Sequence, residues 1–419
     1  MINFRLLRNS DAALWACTAL LVIIGFMAVY STTFSMLSKR SAVFEESKPD
    51  PFMFIERHLI SLVLAVVVLV LFTYLDYSHY DNTWLWMYAA ALALLAAVAF
   101  AGYQTYGAQR WIGVGFFSLQ PSEITKIVMI FAVARFLKER NGIKKLHDLL
   151  PLGLLVGLPF LLIFKQPDLG TALVLAAITY GMILAGGASA IVILALITPL
   201  LSVAFSFNYF LWIPYLILLC VALYSVKASV IDFISVAAVN LASGLFFPHL
   251  WNMLQSYQKD RFLSFLNPGA DPFGAGYHTL QSQTAIGSGG FFGSGFLHGT
   301  QTQLQFIPQQ WTDFIFSAVG EEFGFAGGMI VLILFSVIIW RALSIALESR
   351  DYFGSAIAIG IASMYLFHVF VNIGMTLGIA PVVGIPLPLV SYGGTSLIMN
   401  LAAIGVLQSV SMRRVKLFF

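Results

Sequence analysis

Charge is what this chain has least of. Asp, Glu, Lys and Arg make up 10% of its 419 residues, where a soluble domain carries roughly 25%. That shortfall excludes an ordinary water-soluble fold. The formal net charge is +3 and the basic residues are spread over many loops, which excludes nucleic acid as a partner. Cysteine is nearly missing as well. Cys17 and Cys220 both lie inside apolar runs, far apart, so neither a disulfide framework nor a cysteine metal site is expected. Strict polar–apolar alternation is absent, which excludes a membrane barrel. No low-complexity linker divides the chain. No small-residue cleavage site follows the first apolar run, which therefore reads as a retained first helix.

Apolar residues fill the space left by charge. They account for 59% of the chain, and the mean hydropathy is +0.89. Runs near 12–36, 57–76, 82–102, 121–138, 148–164, 169–186, 188–206, 208–225, 229–250, 320–342, 352–374 and 387–410 have the length of about 20 residues that a membrane helix needs. The expected fold is an all-α, polytopic transmembrane bundle of about 12 helices forming one membrane domain over residues 1–419. An even number of spans puts both termini on one side. Loops on that side hold more Lys and Arg than those opposite, which predicts that the termini face the cytoplasm. Residues 37–56 are charged and unpatterned, and read as a surface loop.

Against this background, residues 251–311 form the one extended polar, glycine-rich stretch. They read as a large external loop. In Ala270-Asp271-Pro272-Phe273-Gly274, Asp271 is either a simple Asp-Pro turn or a catalytic carboxylate in a rigid, glycine-flanked loop. No βαβ context surrounds these glycines, so a dinucleotide site is excluded. Glu321 and Glu322 stand near the next span, able to cap it or line a cavity.

Burying an ionisable group at bilayer depth costs on the order of 2.5–3.5 kcal/mol, so polar residues at span ends need explaining. Gln120-Pro121-Ser122-Glu123 starts a helix, with Pro121 in its first turn and Glu123 at its positive end. Glu123 and Lys126 share a face and can pair, as structure or as the lining of a polar cavity. Arg110 suits a phosphate. Trp111 suits either a sugar ring or the interfacial aromatic belt. In Gln166-Pro167-Asp168-Leu169-Gly170-Thr171, Asp168 can cap the following helix, bind a cation, or do both. Pro386-Leu387-Pro388 and Gly393-Gly394 break a helix in apolar sequence, tolerated only against protein or a wet cavity.

These motifs, together with Thr312-Asp313-Phe314-Ile315-Phe316 and Ser391-Tyr392-Gly393-Gly394, occur in the order of the SEDS family (shape, elongation, division, sporulation). The chain resembles that family over nearly its whole length. Ala285-Ile286-Gly287-Ser288-Gly289-Gly290 and His298-Gly299-Thr300-Gln301 resemble the RodA-type elongation branch more than the FtsW-type division branch. The resemblance implies a peptidoglycan glycosyltransferase that polymerises lipid II on the outer face of the cytoplasmic membrane. It implies a class B penicillin-binding protein as partner. It puts the catalytic carboxylate at Asp271, and a polar substrate cavity around Arg110, Trp111, Glu123, Lys126, Asp168, Gln281, Thr312, Asp313 and Ser391. No organic cofactor is implied. A divalent cation, Mg2+ or Mn2+, held by Asp168 or Asp271 would be compatible.

Two departures stand out. The family core has about ten spans, so a helical hairpin near 208–250 is surplus. Relatives usually carry an acid and a His where this chain has Pro308-Gln309-Gln310-Trp311. The rival readings are a lipid II flippase and a non-catalytic activator of the penicillin-binding partner. A transporter should show inverted repeats with matching broken helices, and the two halves show none.

Overall fold

The computed structural model describes residues 9–40, 51–101, 103–105, 108–114, 117–253, 259, 263–274 and 276–414. Each expected apolar run forms one long helix. These are α1 (Ala12–Arg40), α2 (Pro51–Tyr74), α3 (Ser78–Ala101), α4 (Pro121–Arg140), α5 (Leu149–Lys165), α6 (Leu169–Ala185), α7 (Ala190–Ser206), α8 (Tyr209–Ser225) and α9 (Val230–Met253). Two short helices, α10 (Tyr277–Ser288) and α11 (Thr300–Leu304), lie within the long polar segment. Then come α12 (Ile315–Glu348), α13 (Tyr352–Leu377) and α14 (Gly394–Met412). Seven helices in the described residues are long and apolar enough to cross a membrane, and α6, α7 and α8 are shorter but equally apolar.

The fold is the expected helical bundle with one small addition, and two expectations about element bounds need correcting. Strands β1 (Tyr103–Thr105), β2 (Ala108–Val114) and β3 (Phe117–Leu119) form a small antiparallel sheet in that order. Their β-branched and aromatic residues form runs too short for a helix. Residues 37–56 are helical at both ends, because α1 continues to Arg40 and α2 begins at Pro51, while 41–50 lie outside the described residues. The last helix starts at Gly394 rather than 387, because the preceding segment turns irregularly, with Gly384 and Leu389 at positive φ.

Two ends of the bundle can be told apart by their bonds. At one end, the Asp11 backbone N–H donates to Gln408 Oε1 at 2.9 Å and Arg341 Nε donates to Asp11 Oδ2 at 2.7 Å. The start of α1 therefore meets the finish of α14 and α12, as an even number of crossings requires. Arg135, Lys138, Arg140 and Arg413 make their ion pairs at this end too. The opposite end carries the sheet, α10 and α11.

The core runs through α4, α12, α13 and α14, where Phe131, Phe335, Phe353 and Tyr365 are fully buried. Outward faces are apolar, as on α5 and α8, where Leu150 and Phe210 are 72% and 90% exposed. In water that surface would be costly, whereas lipid accepts it. Helices α7, α8 and α9 form a unit with its own small core of Leu219, Leu223 and Val236. Buried Asn240 ties it together, donating to Thr198 Oγ1 at 2.9 Å and accepting from Tyr215 OH at 2.9 Å. The helical hairpin expected at 208–250 corresponds to α8 and α9, which pack onto α7.

Candidate functional site

The sequence-selected polar residues gather at the end opposite Asp11. Asp168 is the centre of one group. It is 4% exposed and caps α6, with Oδ1 accepting the Thr171 N–H at 3.3 Å and Oδ2 accepting the Thr171 hydroxyl at 3.0 Å. Oδ2 also accepts from Gln120 Nε2 at 3.2 Å and from Ser122 Oγ at 3.3 Å. Arg110, on β2, donates to the carbonyls of Gln166 and Pro167 and stands 3.9 Å from Asp168 Oδ1. The sheet therefore lays a guanidinium, about one-third exposed, over the Pro167 turn. Trp111 follows on the same strand, half-buried.

One turn into α4, Lys126 Nζ donates to Glu123 Oε1 at 2.9 Å and stands 2.8 Å from Oε2. The pair expected from their spacing does form, and both residues are buried, at 3% and 2% exposure. A buried ammonium enclosed this way does not face a ligand, so Arg110 is the cation of this group that solvent reaches. Sequence reasoning missed the third partner, His368 of α13, whose Nε2 lies 3.2 Å from Lys126 Nζ.

A second group forms where the chain enters α12. Ser391 Oγ donates to the Thr312 carbonyl at 2.6 Å, and the Tyr392 N–H donates to the Trp311 carbonyl at 2.8 Å. Asn372 Nδ2 donates to the carbonyls of Asp313 at 2.9 Å and Ile385 at 2.7 Å. The irregular segment between α13 and α14 joins both groups. The Gln120 N–H donates to Thr395 Oγ1 at 3.3 Å, and a Cβ on Gly170 would fall 3.0 Å from the Val383 carbonyl. Thr395 and Asn372, also missed in the sequence, are buried hydrogen-bonding residues on apolar helices, a signal legible in principle.

Asp271 lies outside both groups but reaches the second one through α10. It is exposed. Its Oδ1 accepts the Gly274 N–H at 3.0 Å, and a Cβ at 274 would fall 2.1 Å from Oδ2. Only glycine lets the carboxylate fold back over this turn. Helix α10 then begins at once, and His278 stacks on Phe314 at 5.9 Å, beside Asp313. Gln281 is half-buried on α10. Its neighbour Ser282 donates to the Thr376 carbonyl at 2.7 Å, which fixes α10 to α13.

Glu321 and Glu322 do not cap α12. Glu321 accepts the N–H groups of Gln301 at 2.7 Å and Thr302 at 2.8 Å and so caps α11, while Glu322 accepts from Ser31. In the departing Pro308–Trp311 segment, Gln310 is buried and donates to the Thr302 carbonyl at 2.9 Å.

The Asp168 oxygens do not fit a divalent cation. Asp168 spends both oxygens on protein donors, and among the described residues no three His, Cys, Asp or Glu converge.

Fold and site together define a polytopic membrane protein with a buried polar cluster and an exposed carboxylate at one end of the bundle. The chain belongs to the FtsW/RodA/SpoVE family of cell cycle proteins, which matches residues 11–216 and 206–416. It is 37% identical to peptidoglycan glycosyltransferase MrdB of Escherichia coli (strain K12) over 360 residues, 86% of each chain. It is 36% identical to peptidoglycan glycosyltransferase RodA of Treponema pallidum, covering 85% of this chain and 89% of that one. Among solved structures it resembles a chain of a peptidoglycan synthase complex that coordinates polymerization and crosslinking, with TM-score 0.69, 28% identity and coverage of 97% and 99%. It also resembles Thermus thermophilus RodA, with TM-score 0.62, 25% identity and coverage of 97% and 98%.

Proposed function

We propose that this chain is a peptidoglycan glycosyltransferase that polymerises lipid II for cell-wall elongation. MrdB and RodA, to which the chain is similar over most of its length, are peptidoglycan glycosyltransferases. The observation that carries the reading is Asp271: an exposed carboxylate held on the Gly274 turn, at the polar end of an otherwise apolar bundle. The 4-hydroxyl of the acceptor sugar attacks the anomeric carbon of the donor. The carbon–oxygen bond to the lipid pyrophosphate breaks, and the hydroxyl proton passes to Asp271. A positioned carboxylate contributes roughly 10²–10⁴-fold as general base. Arg110, with its guanidinium partly exposed over the Asp168 turn, is suited to the departing pyrophosphate.

In this reading both termini are cytoplasmic and the Asp271 end faces outward in the cytoplasmic membrane, as the bias of Lys and Arg towards the Asp11 end supports. A class B penicillin-binding protein is the partner, which likeness to a synthase complex supports.

The test incubates purified full-length protein with lipid II and a transpeptidase inhibitor. Glycan strands are expected from the wild type, and a loss of about 10²-fold or more from Asp271→Asn with unchanged thermal unfolding in detergent. Polymer made by Asp271→Asn at near wild-type rate refutes the base. Translocated lipid without polymer makes the chain a flippase, and neither product makes it an activator.

A further inference from the structure

The buried contact between Lys126 and His368 assigns a tautomer and a role that spacing alone does not reveal. His368 lies in the middle of α13, 1% exposed. Its Nδ1 is 2.8 Å from the carbonyl oxygen of Met364, one turn back. A carbonyl can only accept, so Nδ1 carries the hydrogen. Its Nε2 is 3.2 Å from Lys126 Nζ. An ammonium can only donate, so Nε2 presents a lone pair. Both contacts together fix His368 as the neutral, Nδ1–H form. A protonated ring would point an N–H at a cation.

From this geometry we propose that His368 is a positioning residue for the glycosyl transfer, the neutral acceptor that locks Lys126 and so holds α4 against α13. The proposal rests on the polymerase reading above and extends it. The consequence is a matter of connectivity. Just outside Lys126, the first turn of α4 supplies Gln120 and Ser122 to Asp168, beside Arg110. Just outside His368, the last turn of α13 holds Thr376, whose carbonyl accepts from Ser282 of α10, the helix that follows Asp271. The Lys126–His368 bond is thus a direct tie between the wall carrying the pyrophosphate-facing cation and the wall carrying the base. Glu123 supplies the negative charge that keeps the ammonium at this depth, and His368 supplies direction. Carboxylate alone leaves the ammonium free to pivot about Glu123. With the imidazole lone pair on the other helix, it has one orientation.

The variants His368→Gln, His368→Leu, Lys126→Met and the Lys126→Met/His368→Leu double test this in full-length protein. Gln retains an amide oxygen to accept from Lys126, whereas Leu strands an N–H of a buried cation. His368→Leu should lower polymerisation by about tenfold or more, and His368→Gln should recover most of it. Adding His368→Leu to Lys126→Met should cost nothing further, because His368 acts through the lysine. The wild-type protein itself gives an arm independent of activity and of variant folding. Histidine ¹⁵N spectra should show one buried ring protonated at Nδ1 and bare at Nε2, absent from the His368→Gln spectrum. The proposal falls if that ring carries its proton on Nε2, if Gln is as poor as Leu, or if the two losses add. Failure of the wild type to polymerise at all would refute the polymerase reading, while the spectrum would still decide the bond.

Discussion

At the level of single residues, Asp168 shows how a polar side chain at a span end does structural work within a candidate site. The carboxylate caps α6 and collects Gln120, Ser122, Thr171 and Arg110. A lost helix cap costs about 1 kcal/mol, and each buried donor left unpaired costs about 1–3 kcal/mol. Asp168→Ala should therefore destabilise the protein by about 3 kcal/mol, read as a fall in thermal midpoint in detergent. The Arg110 pair adds little, because its guanidinium is one-third exposed. Asp168→Asn keeps an acceptor for the cap and should lose less. An unchanged midpoint for Asp168→Ala would contradict the cap. The cap was legible from Asp168 preceding an apolar run, and so was the Glu123–Lys126 pair, because both depend on local spacing. His368 was not legible: its partner is 242 residues away in sequence, and a lone histidine in an apolar helix carries no pattern that names a partner.

Elements show the same division between local and distant causes. The run that became α12 announces a span, but the helix extends over 34 residues and contains a break at Gly324, with φ 66° and ψ −163°. From there to Glu348 the helix rises about 36 Å, enough to cross the roughly 30 Å apolar core by itself. The turns before the break are therefore released for polar work, and Glu321 and Glu322 sit in them. Residues 290–295 supply what the broken helix lacks. The Ser294 and Gly295 N–H groups donate to the Glu321 and Glu322 carbonyls at 3.0 Å, and the Phe325 N–H donates to the Gly290 carbonyl at 2.9 Å. A Cβ at 324 would fall 2.3 Å from the Gly293 nitrogen, and no other residue readily takes that backbone conformation. Gly324→Ala should cost on the order of 1–3 kcal/mol and free the 290–295 segment. Amide hydrogen exchange should rise there and remain unchanged in α4. Equal protection in both proteins would show that the break tolerates a side chain. No periodicity in the sequence encodes this interlock, because loop and helix each look complete alone.

Across the whole molecule, parity governs what can be added or removed. Asp11 meets Gln408 and Arg341, so the helices cross an even number of times, as counting apolar runs predicted. The small sheet escaped that count because its strands are too short to register. Removing α8 and α9 together deletes two crossings and leaves the Asp271 segment on its original side. What such a deletion exposes is the polar seam of α7, where Ser202 donates to the Asn240 carbonyl at 2.7 Å and Asn240 donates to Thr198. Left facing lipid, Ser202 loses the Asn240 carbonyl and Thr198 keeps only the Leu194 carbonyl of its own helix, at about 1 kcal/mol for each lost bond. A chain lacking residues 208–253, with Thr198→Val and Ser202→Ala to match, should insert in the membrane and polymerise lipid II within about threefold of the intact protein. Its tag accessibility at both termini should be unchanged. The compact core of Leu219, Leu223 and Val236, separate from the main one, is the reason to expect independence. A folded deletion variant with no activity would instead make the hairpin part of the working site.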